Sequence, residues 1–353
     1  MTALKALLLS DVRPGYYRLA EGIIAAISRV RVVETTRLEV RRRVFIPARM
    51  VSYLINRGFS QSLVLAVVYG LDARNLPPCD VVVSAGGNTL GANIAMSRFL
   101  VASNIFYGSL RRFKAADFSL VLTSYSSQVR APNQFMSLKP SAMDPEMFSK
   151  PGENAAAGLR LQQGPRIAGL ILGGNSGTVR FAAYDWQRLF SFMFDCHQRW
   201  GTVWVVSNSA RTPETVSREL AKRFCEPDNS IIHRFIDVRD PNAASLEALL
   251  SQSEIVVCTA DSSSMLSETV WARKPVISLA PKNFDLPTNE RGYRDWLAAH
   301  GWTIEMPISA LEPDVFLKTL ATLHPLNNNP LDRLARELRQ RLPSLLSQAY
   351  KPG

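Results

Sequence analysis

One stretch of the sequence indicates the fold of this chain most clearly: Ile255-Val-Val-Cys-Thr-Ala-Asp-Ser-Ser-Ser-Met-Leu-Ser-Glu268. Its apolar first part, Ile255–Thr259, predicts a short buried strand, and the small polar residues that follow predict a tight turn into a helix over 263–272. The N–H groups at such a helix start lack partners within the helix, and the helix dipole is positive there, so an anion such as a pyrophosphate would be stabilised. Simple N-capping by Asp261 or Ser262 explains the same residues.

Short apolar runs alternate with helical patterns on both sides of this stretch. Further strands are predicted at 4–10, 80–84, 105–107, 118–123, 167–172, 202–207, 231–235 and 275–279, and a last helix at 330–346. This alternation is typical of βαβ units with parallel sheets that are buried on both faces. The predicted fold is therefore α/β, with two Rossmann-like domains whose parallel sheets face a central cleft, which is the GT-B type.

The Pro-, Gly- and Ala-rich stretch 149–165 predicts the domain boundary. We expect a first Rossmann-like domain over 1–160, a second over 161–328, and a C-terminal helix within 329–353 that returns to the first domain. The formal net charge is +11, of which residues 1–164 carry +10. A one-sided excess indicates that one domain faces an anionic surface, rather than that the chain binds nucleic acid.

A basic cluster precedes the partly apolar segment 51–71 and consists of Arg37, Arg41, Arg42, Arg43 and Arg49. One interpretation is a patch that contacts anionic lipid, which would make the protein peripheral on the inner face of the cytoplasmic membrane. The other is a solvated helix face. No apolar run reaches the ~18 residues of a transmembrane helix, and no secretory signal is visible, so a cytoplasmic protein is expected.

Composition and motifs exclude several classes of protein. A hydrophobic fraction of 46% with 20% charged residues is typical of a globular chain. The four cysteines are scattered, the four histidines have no ligand spacing, and no Asp-x-Asp occurs. We therefore expect no disulfide framework, no metal site and no cofactor.

Polar and glycine-rich turns follow other predicted strands and could approach a ligand at the same sheet edge. In the second half these are Gly173-Gly174-Asn175 and the segment from Ser207 to Arg211, whose guanidinium could pair with a phosphate. In the first half they are Gly86-Gly87-Asn88 and Ser10-Asp11, and Asp11 is the sole early carboxylate at a predicted strand end. Asp11 is thus a candidate general base, with an Asx-turn as the alternative.

Taken together, the motifs resemble the elongated-mitochondria (mitochondrial fission) family, whose bacterial members are treated as glycosyltransferases of envelope polysaccharide. The matching segments are Ser10-Asp-x-Arg-Pro-Gly15, Gly86-Gly, Gly173-Gly, Ser-x-x-x-Arg-Thr-Pro213 and Thr259-Ala-Asp-Ser-x-Ser-Met-x-Ser-Glu268. The resemblance implies a GT-B fold with a nucleotide-sugar donor on the second domain, so that the acceptor would be held by the first. The block 259–268 also resembles the donor loop of lipid-linked N-acetylglucosaminyltransferases, which implies Glu268 at the donor's ribose and the turn 261–264 near its diphosphate. Val12 stands where family members often have glycine.

The expected function is a metal-independent, nucleotide-sugar-dependent glycosyltransferase of the hexosyl type, acting in cell-envelope polysaccharide or lipopolysaccharide synthesis. Its partners would be a nucleotide-sugar, expected to be UDP-linked, and a glycolipid or polysaccharide acceptor. Two alternatives stay open: a nucleotide-sugar epimerase on the same frame, and a non-catalytic, membrane-associated adaptor. The candidate acceptor residues are Arg13, Gly86, Gly87 and Asn88, and the candidate donor residues are Gly173, Gly174, Asn175, Ser207, Arg211, Thr259, Asp261, Ser262, Ser263, Ser264, Met265, Ser267 and Glu268.

Overall fold

The computed structural model describes residues 2–148, 164–224 and 231–346, and the chain divides into two compact units. Unit 1 contains Met1–Ala142 and Pro330–Gly353, and unit 2 contains Met143–Asn329. The expected boundary at 160/161 falls in a stretch, 149–163, that lies outside the described residues.

Unit 1 is built on a six-stranded sheet in which every neighbouring pair of strands is parallel, in the order β2-β1-β3-β4-β5-β6. Continuous apolar runs form its central strands, since both faces are covered. The strands are β1 (Leu4–Ser10), β2 (Val33–Glu39), β3 (Val81–Ala85), β4 (Ser103–Tyr107), β5 (Leu120–Thr123) and β6 (Gln134–Met136). The helices are α1 (Pro14–Ser28), α2 (Ala48–Asn56), α3 (Gln61–Val64), which continues into a π-helical turn at Leu65–Tyr69, and α4 (Leu90–Leu100).

Two further helices of unit 1 come from the C-terminal segment. These are α11 (Pro330–Arg341) and α12 (Pro343–Leu346), numbered after the helices of unit 2. Helix α11 packs on α1, where Arg29 pairs with Asp332 at 3.4 Å, and Arg31 donates to the carbonyl of Leu345 at 2.8 Å. Leucines of α11 are buried at spacings of three and four residues, as expected of a helix. The single helix predicted over 330–346 is divided at Leu342, because Pro343 begins α12.

Unit 2 repeats the design with a different strand order, β12-β11-β10-β7-β8-β9, again with parallel neighbours only. Its strands are β7 (Ile167–Ile171), β8 (Val203–Ser207), β9 (Ile232–Ile236), β10 (Ile255–Thr259), β11 (Val276–Ala280) and β12 (Thr303–Pro307). Its helices are α5 (Ala183–Trp200), α6 (Glu214–Phe224), α7 (Leu246–Gln252), α8 (Ser263–Trp271), α9 (Thr288–Ala299) and α10 (Pro313–Leu320). This is the classic Rossmann strand order.

Each sheet has a topological switch point, where the direction of strand progression reverses. In unit 1 it lies between β1 and β3, and in unit 2 between β7 and β10. Open α/β sheets bind ligands outside the carboxyl ends of the strands at this point, so two positions in the molecule are singled out by topology alone. No helix of the described residues is long and apolar enough to cross a membrane.

Candidate functional site

The switch point of unit 2 brings together the turns that follow β7, β8 and β10. In the sheet Ile171 lies opposite Cys258 on one side and Ser207 on the other, so all three strands end at the same level. The segments 172–174, 208–212 and 260–262 therefore meet at one edge, although 86 residues separate Gly173 from Thr259.

The carboxylate of Asp261 is the centre of this edge. Its side chain is fully buried, and Oδ1 accepts a hydrogen bond from Thr259 Oγ1 at 2.7 Å. Oδ2 accepts from Arg211 Nη2 at 2.7 Å and from Arg211 Nε at 3.2 Å. The guanidinium of Arg211 remains 41% exposed, so an anion in solvent can reach the arginine while the aspartate holds it in place.

The Gly173-Gly174 turn is shaped by these two side chains. The N–H of Gly173 donates to Thr259 Oγ1 at 2.6 Å, and a Cβ on Gly173 would lie 2.0 Å from Asp261 Oδ1. A Cβ on Gly174 would lie 2.0 Å from the carbonyl oxygen of Arg211. Both glycines are thus required by the packing of the chain's own groups, which no local sequence pattern could show.

Helix α8 begins directly after this cluster. The hydroxyl of Ser262 is the N-cap and accepts a hydrogen bond from the N–H of Met265 at 3.4 Å, which is the capping alternative left open above. Ser264 is exposed, and Ser263, Met265 and Glu268 are partly exposed. The first turn and Glu268 can therefore contact a ligand at the positive end of the helix.

Other predicted donor residues lie below this surface. Ser267 is buried, donates to the carbonyl of Ser263 and pairs with Tyr293 Oη at 2.8 Å. Ser207 is buried as well, and its hydroxyl donates to the carbonyl of Asn208 at 3.3 Å. These serines, like Thr259, hold the edge together from beneath. Asn175 is exposed, and its Oδ1 accepts from the N–H of Phe181 at 2.9 Å.

Sequence reasoning missed two arginines that support the same edge. Arg294 is only 5% exposed and donates to the carbonyl of Ala260 at 2.7 Å, just before Asp261, while pairing with Glu290 at 3.3 Å. Arg239 donates to the carbonyl of Thr212. Glu290 and Arg294 are four residues apart, a spacing that favours an ion pair on a helix and could have identified Arg294. No pattern in the local sequence indicates that Arg294 also donates to the carbonyl of Ala260.

The cysteine of β10 does not add a nucleophile to this edge. Burial raises the pKa of the Cys258 thiol to about 12, so the thiol stays protonated at neutral pH. Among the described residues, no group of three or more His, Cys, Asp or Glu side chains could hold a metal ion. The positive groups that the structure shows at this edge are Arg211 and the N-terminal end of α8.

The switch point of unit 1 has a similar design around Asp11. The side chain of Asp11 is 2% exposed, and Oδ2 accepts from Arg13 Nε at 2.8 Å and from Asn88 Nδ2 at 3.3 Å. Oδ1 accepts from the N–H of Arg13 at 3.4 Å, which is the Asx-turn alternative. The carboxylate that was predicted as a base is thus engaged by its neighbours.

The Gly86-Gly87 turn lies between two side chains of unit 1. A Cβ on Gly86 would lie 2.7 Å from the ring of Tyr16, and a Cβ on Gly87 would lie 2.4 Å from the guanidinium carbon of Arg111. Arg13 in turn stacks on the Tyr16 ring at 4.4 Å. The predicted acceptor residues Arg13, Gly86, Gly87 and Asn88 therefore share one edge.

The prediction that Asp11 is the sole early carboxylate at a strand end is wrong. Strand β2, which the sequence pattern does not predict, ends at Glu39, directly opposite Ser10 in the register. The side chain of Glu39 is 57% exposed, and its nearest cation is Arg41 at 3.8 Å. Strand β2 lies at the edge of the sheet and is mostly exposed, so its sequence lacks the apolar run that marks the central strands.

Comparison with known proteins identifies the family to which this chain belongs. The family model described as mitochondrial fission ELM1 matches residues 14–345. This chain belongs to the mitochondrial fission ELM1 family. The match includes both switch points except for β1 and the residues up to 13. It confirms the resemblance that was inferred from the motifs. No curated protein matches the sequence of this ELM1-family chain.

Solved structures show the same fold at low sequence identity. A Listeria monocytogenes protein provisionally assigned as a UDP-N-acetylglucosamine 2-epimerase superposes with a TM-score of 0.58 at 11% identity, covering 99% of both chains. MurG from Acinetobacter baumannii gives 0.50 at 11% identity over 96% of this chain and 99% of its own. A UDP-GlcNAc 2-epimerase from Neisseria meningitidis, solved with UDP-GlcNAc, gives 0.51 at 10% identity over 97% and 100%. The fold of this ELM1-family member is of the GT-B type, as predicted.

Proposed function

We propose that this protein is a metal-independent glycosyltransferase that uses a nucleotide-sugar, expected to be UDP-linked, and transfers a hexosyl group to a glycolipid or polysaccharide of the cell envelope. The observation that carries the proposal is the edge at the β7/β10 switch point. There the exposed side chain of Arg211, the Gly173-Gly174 turn and the start of α8 lie at one edge of the sheet. Proteins of this fold that bind UDP-GlcNAc, such as the Neisseria epimerase, support a nucleotide-sugar as the ligand.

The geometry suggests how the leaving nucleotide would be stabilised. In glycosyl transfer, negative charge develops on the diphosphate as the bond to the sugar breaks. Arg211 and the N-terminal turn of α8 would neutralise this charge, and Asp261 would keep the guanidinium oriented before the donor binds. Glu268, one turn further along α8, would accept hydrogen bonds from the ribose.

The acceptor is assigned to the edge of unit 1 around Arg13, Gly86, Gly87 and Asn88. Transfer requires a base that deprotonates the acceptor's hydroxyl group, and the two candidates are the carboxylates of Asp11 and Glu39. Asp11 would act only after leaving Arg13, whereas Glu39 is exposed at the same edge. Comparison of Asp11→Asn with Glu39→Gln separates them: the variant that loses kcat while retaining donor affinity identifies the base.

The first test is calorimetric titration of the purified protein with UDP, GDP, CMP and ADP. We expect selective binding of one nucleotide, weakened about tenfold or more in Arg211→Ala and in Glu268→Ala. Arg218→Ala and Glu219→Ala, which change an exposed arginine and a partly exposed glutamate of α6, are the matched controls and should leave affinity unchanged. Binding that survives both site variants would remove this edge from the donor site.

An epimerase is the second candidate function, since UDP-GlcNAc 2-epimerases from Neisseria meningitidis and Methanocaldococcus jannaschii share the fold. An epimerase needs no acceptor. Incubation with UDP-GlcNAc alone, followed by chromatography, should return the sugar unchanged if the protein is a transferase, and an epimeric mixture if it is not. Failure to bind any nucleotide would instead favour the non-catalytic adaptor.

A further inference from the structure

The segment between Glu39 and Asp72 differs from the rest of the chain in charge. Residues 40–71 contain five arginines and no aspartate or glutamate. In the structure this segment forms the loop after β2, then α2, α3 and the π-helical turn at Leu65–Tyr69. A stretch of this length without one acidic residue presents a surface with a single sign of charge.

The same segment also exposes apolar side chains. Of the 18 large hydrophobic residues that are exposed among the described residues, seven lie within 44–67. The loop residues Val44 and Phe45 are 97% and 77% exposed, and Met50 and Tyr53 are exposed on α2. Scattered apolar residues on a surface need no explanation, but a concentration of this kind marks a contact site. The remaining three residues are Phe59, Leu63 and Val67.

Backbone contacts join these residues into one region of unit 1. The N–H of Arg43 donates to the carbonyl of Val68 at 2.9 Å, which ties the loop to the π-helical turn. The N–H of Phe59 donates to the carbonyl of Leu54 at 3.1 Å, which holds the loop before α3 against the end of α2, and α2 and α3 also contact each other. The exposed residues are therefore neighbours in space as well as in sequence. We refer to the exposed apolar and arginine side chains within 41–67 as the 41–67 surface.

The opposite face of α2 is occupied by the protein itself. Val51 and Ile55 are buried, and Val51 packs on α4 at Gly91, where a Cβ would lie 2.5 Å from Val51 Cγ1. Arg49, Met50, Tyr53 and Arg57 share the other side of the helix at spacings of three and four residues, and the Arg57 guanidinium lies 5.6 Å from the Tyr53 ring. Helix α2 is thus amphipathic, with arginines, a tyrosine and a methionine outside.

We propose that the 41–67 surface lies on an anionic phospholipid bilayer, with Val44, Phe45 and Met50 among the acyl chains and the arginines at the headgroups. Aromatic and aliphatic side chains flanked by arginine, with no acidic residue, match the two layers of a bilayer surface. A nucleic acid would pair with the arginines but would leave Val44 and Phe45 in water. The inference concerns unit 1 alone and stands whether or not the proposed glycosyl transfer occurs.

The test is co-sedimentation of the full chain with vesicles of phosphatidylcholine and of a 7:3 mixture of phosphatidylcholine and phosphatidylglycerol. We expect binding to the mixture that is salt-sensitive and at least tenfold weaker to phosphatidylcholine alone. Arg49→Ala and Arg57→Ala should each lower the partition coefficient about fivefold, and Val44→Ser/Phe45→Ser about tenfold or more.

Val101→Ser/Met147→Ser is the matched control, because these residues are 93% and 80% exposed and lie outside the surface. It should bind like the unchanged chain. A direct measure of insertion is available from Phe45→Trp, since all six tryptophans of the chain lie in unit 2. Brominated lipids should quench the additional fluorescence.

Three results would overturn the proposal. The first is no binding of the intact chain to anionic vesicles at low salt, and the second is equal binding of Val44→Ser/Phe45→Ser. The third is a dimer in solution that Val44→Ser/Phe45→Ser dissociates while vesicle binding is absent, because the surface would then be a self-association face.

Discussion

The substitution Gly173→Ala tests the geometry of the unit 2 edge most directly. A Cβ at this position would lie 2.0 Å from Oδ1 and 2.1 Å from Oδ2 of Asp261. Ordinary carbon contacts begin near 3.4 Å, so the carboxylate must move by about 1.4 Å. A movement of this size breaks hydrogen bonds that are now 2.7 Å long, one to Thr259 and one to Arg211.

The cost follows from these two interactions. A buried hydrogen bond to a charged group contributes about 1.5–3 kcal/mol, which applies to the Thr259 contact. The Arg211 pair contributes about 1 kcal/mol, because its guanidinium is 41% exposed and screened by solvent. We therefore expect Gly173→Ala to lower the free energy of unfolding of unit 2 by about 3 kcal/mol.

Urea unfolding followed by tryptophan fluorescence measures this quantity, since every tryptophan belongs to unit 2. Gly292→Ala is the control: Gly292 lies within α9, its added Cβ meets no atom within 4 Å, and alanine is the better helix former. It should raise stability by about 0.5–1 kcal/mol. The same chemical change thus has opposite signs at two sites.

A double-mutant cycle then assigns the cause. In an Asp261→Ala background the clash is gone, so Gly173→Ala should cost at least about 2 kcal/mol less than in the unchanged chain. The reasoning is refuted if the two substitutions are additive, or if Gly173→Ala alone costs less than about 1 kcal/mol.

Three other outcomes are expected. Val12→Gly should raise the free energy of unfolding by about 0.5–1 kcal/mol in urea titrations, because Val12 is held at a φ of 70° that a β-branched residue tolerates poorly; no gain would show that this backbone is unstrained. Above pH 9 stability should fall, since the unfolded chain ionises Cys258 while burial keeps the folded thiol protonated. Cys258→Ala should therefore reduce the loss between pH 8 and pH 10 by about 1 kcal/mol in paired urea titrations, and an unchanged loss would contradict the assignment. Arg294→Met should cost about 3 kcal/mol, since it removes the hydrogen bond to the Ala260 carbonyl and the largely buried ion pair with Glu290; a loss below about 1 kcal/mol in the same assay would show that this arginine does not support the edge.

The central strands were predictable because their signal is local. Strands β3, β7 and β10 are buried on both faces, so each consists mostly of apolar residues, and β1 interrupts its apolar run only at the exposed Lys5. The edge strand β2 carries no such signal: it reads Val-Glu-Thr-Thr-Arg-Leu-Glu and is mostly exposed. Because β2 is not predicted from the sequence, Glu39 is not recognised there as a carboxylate at a strand end.

The location of the candidate site was predictable for a related reason. Parallel strands end at one edge, so any polar turn that follows a buried strand is expected there, and Asp261, Arg211 and Gly173 were all identified in this way. The sequence also determined the excess of positive charge in the first half and the absence of acidic residues from 40–71.

The role of each residue at that edge was decided by tertiary structure. Arg211 was expected to face a phosphate, and it is held by Asp261, 50 residues away. Gly173 and Gly174 were expected to admit a ligand, and they admit the Asp261 carboxylate and the Arg211 backbone. Such pairings depend on strand order and on the direction of each side chain. A burial pattern follows from the apolar or polar character of each residue along the chain, so it can be inferred from the sequence. These contacts join residues far apart in the chain and exist only once β10, β7 and β8 lie side by side.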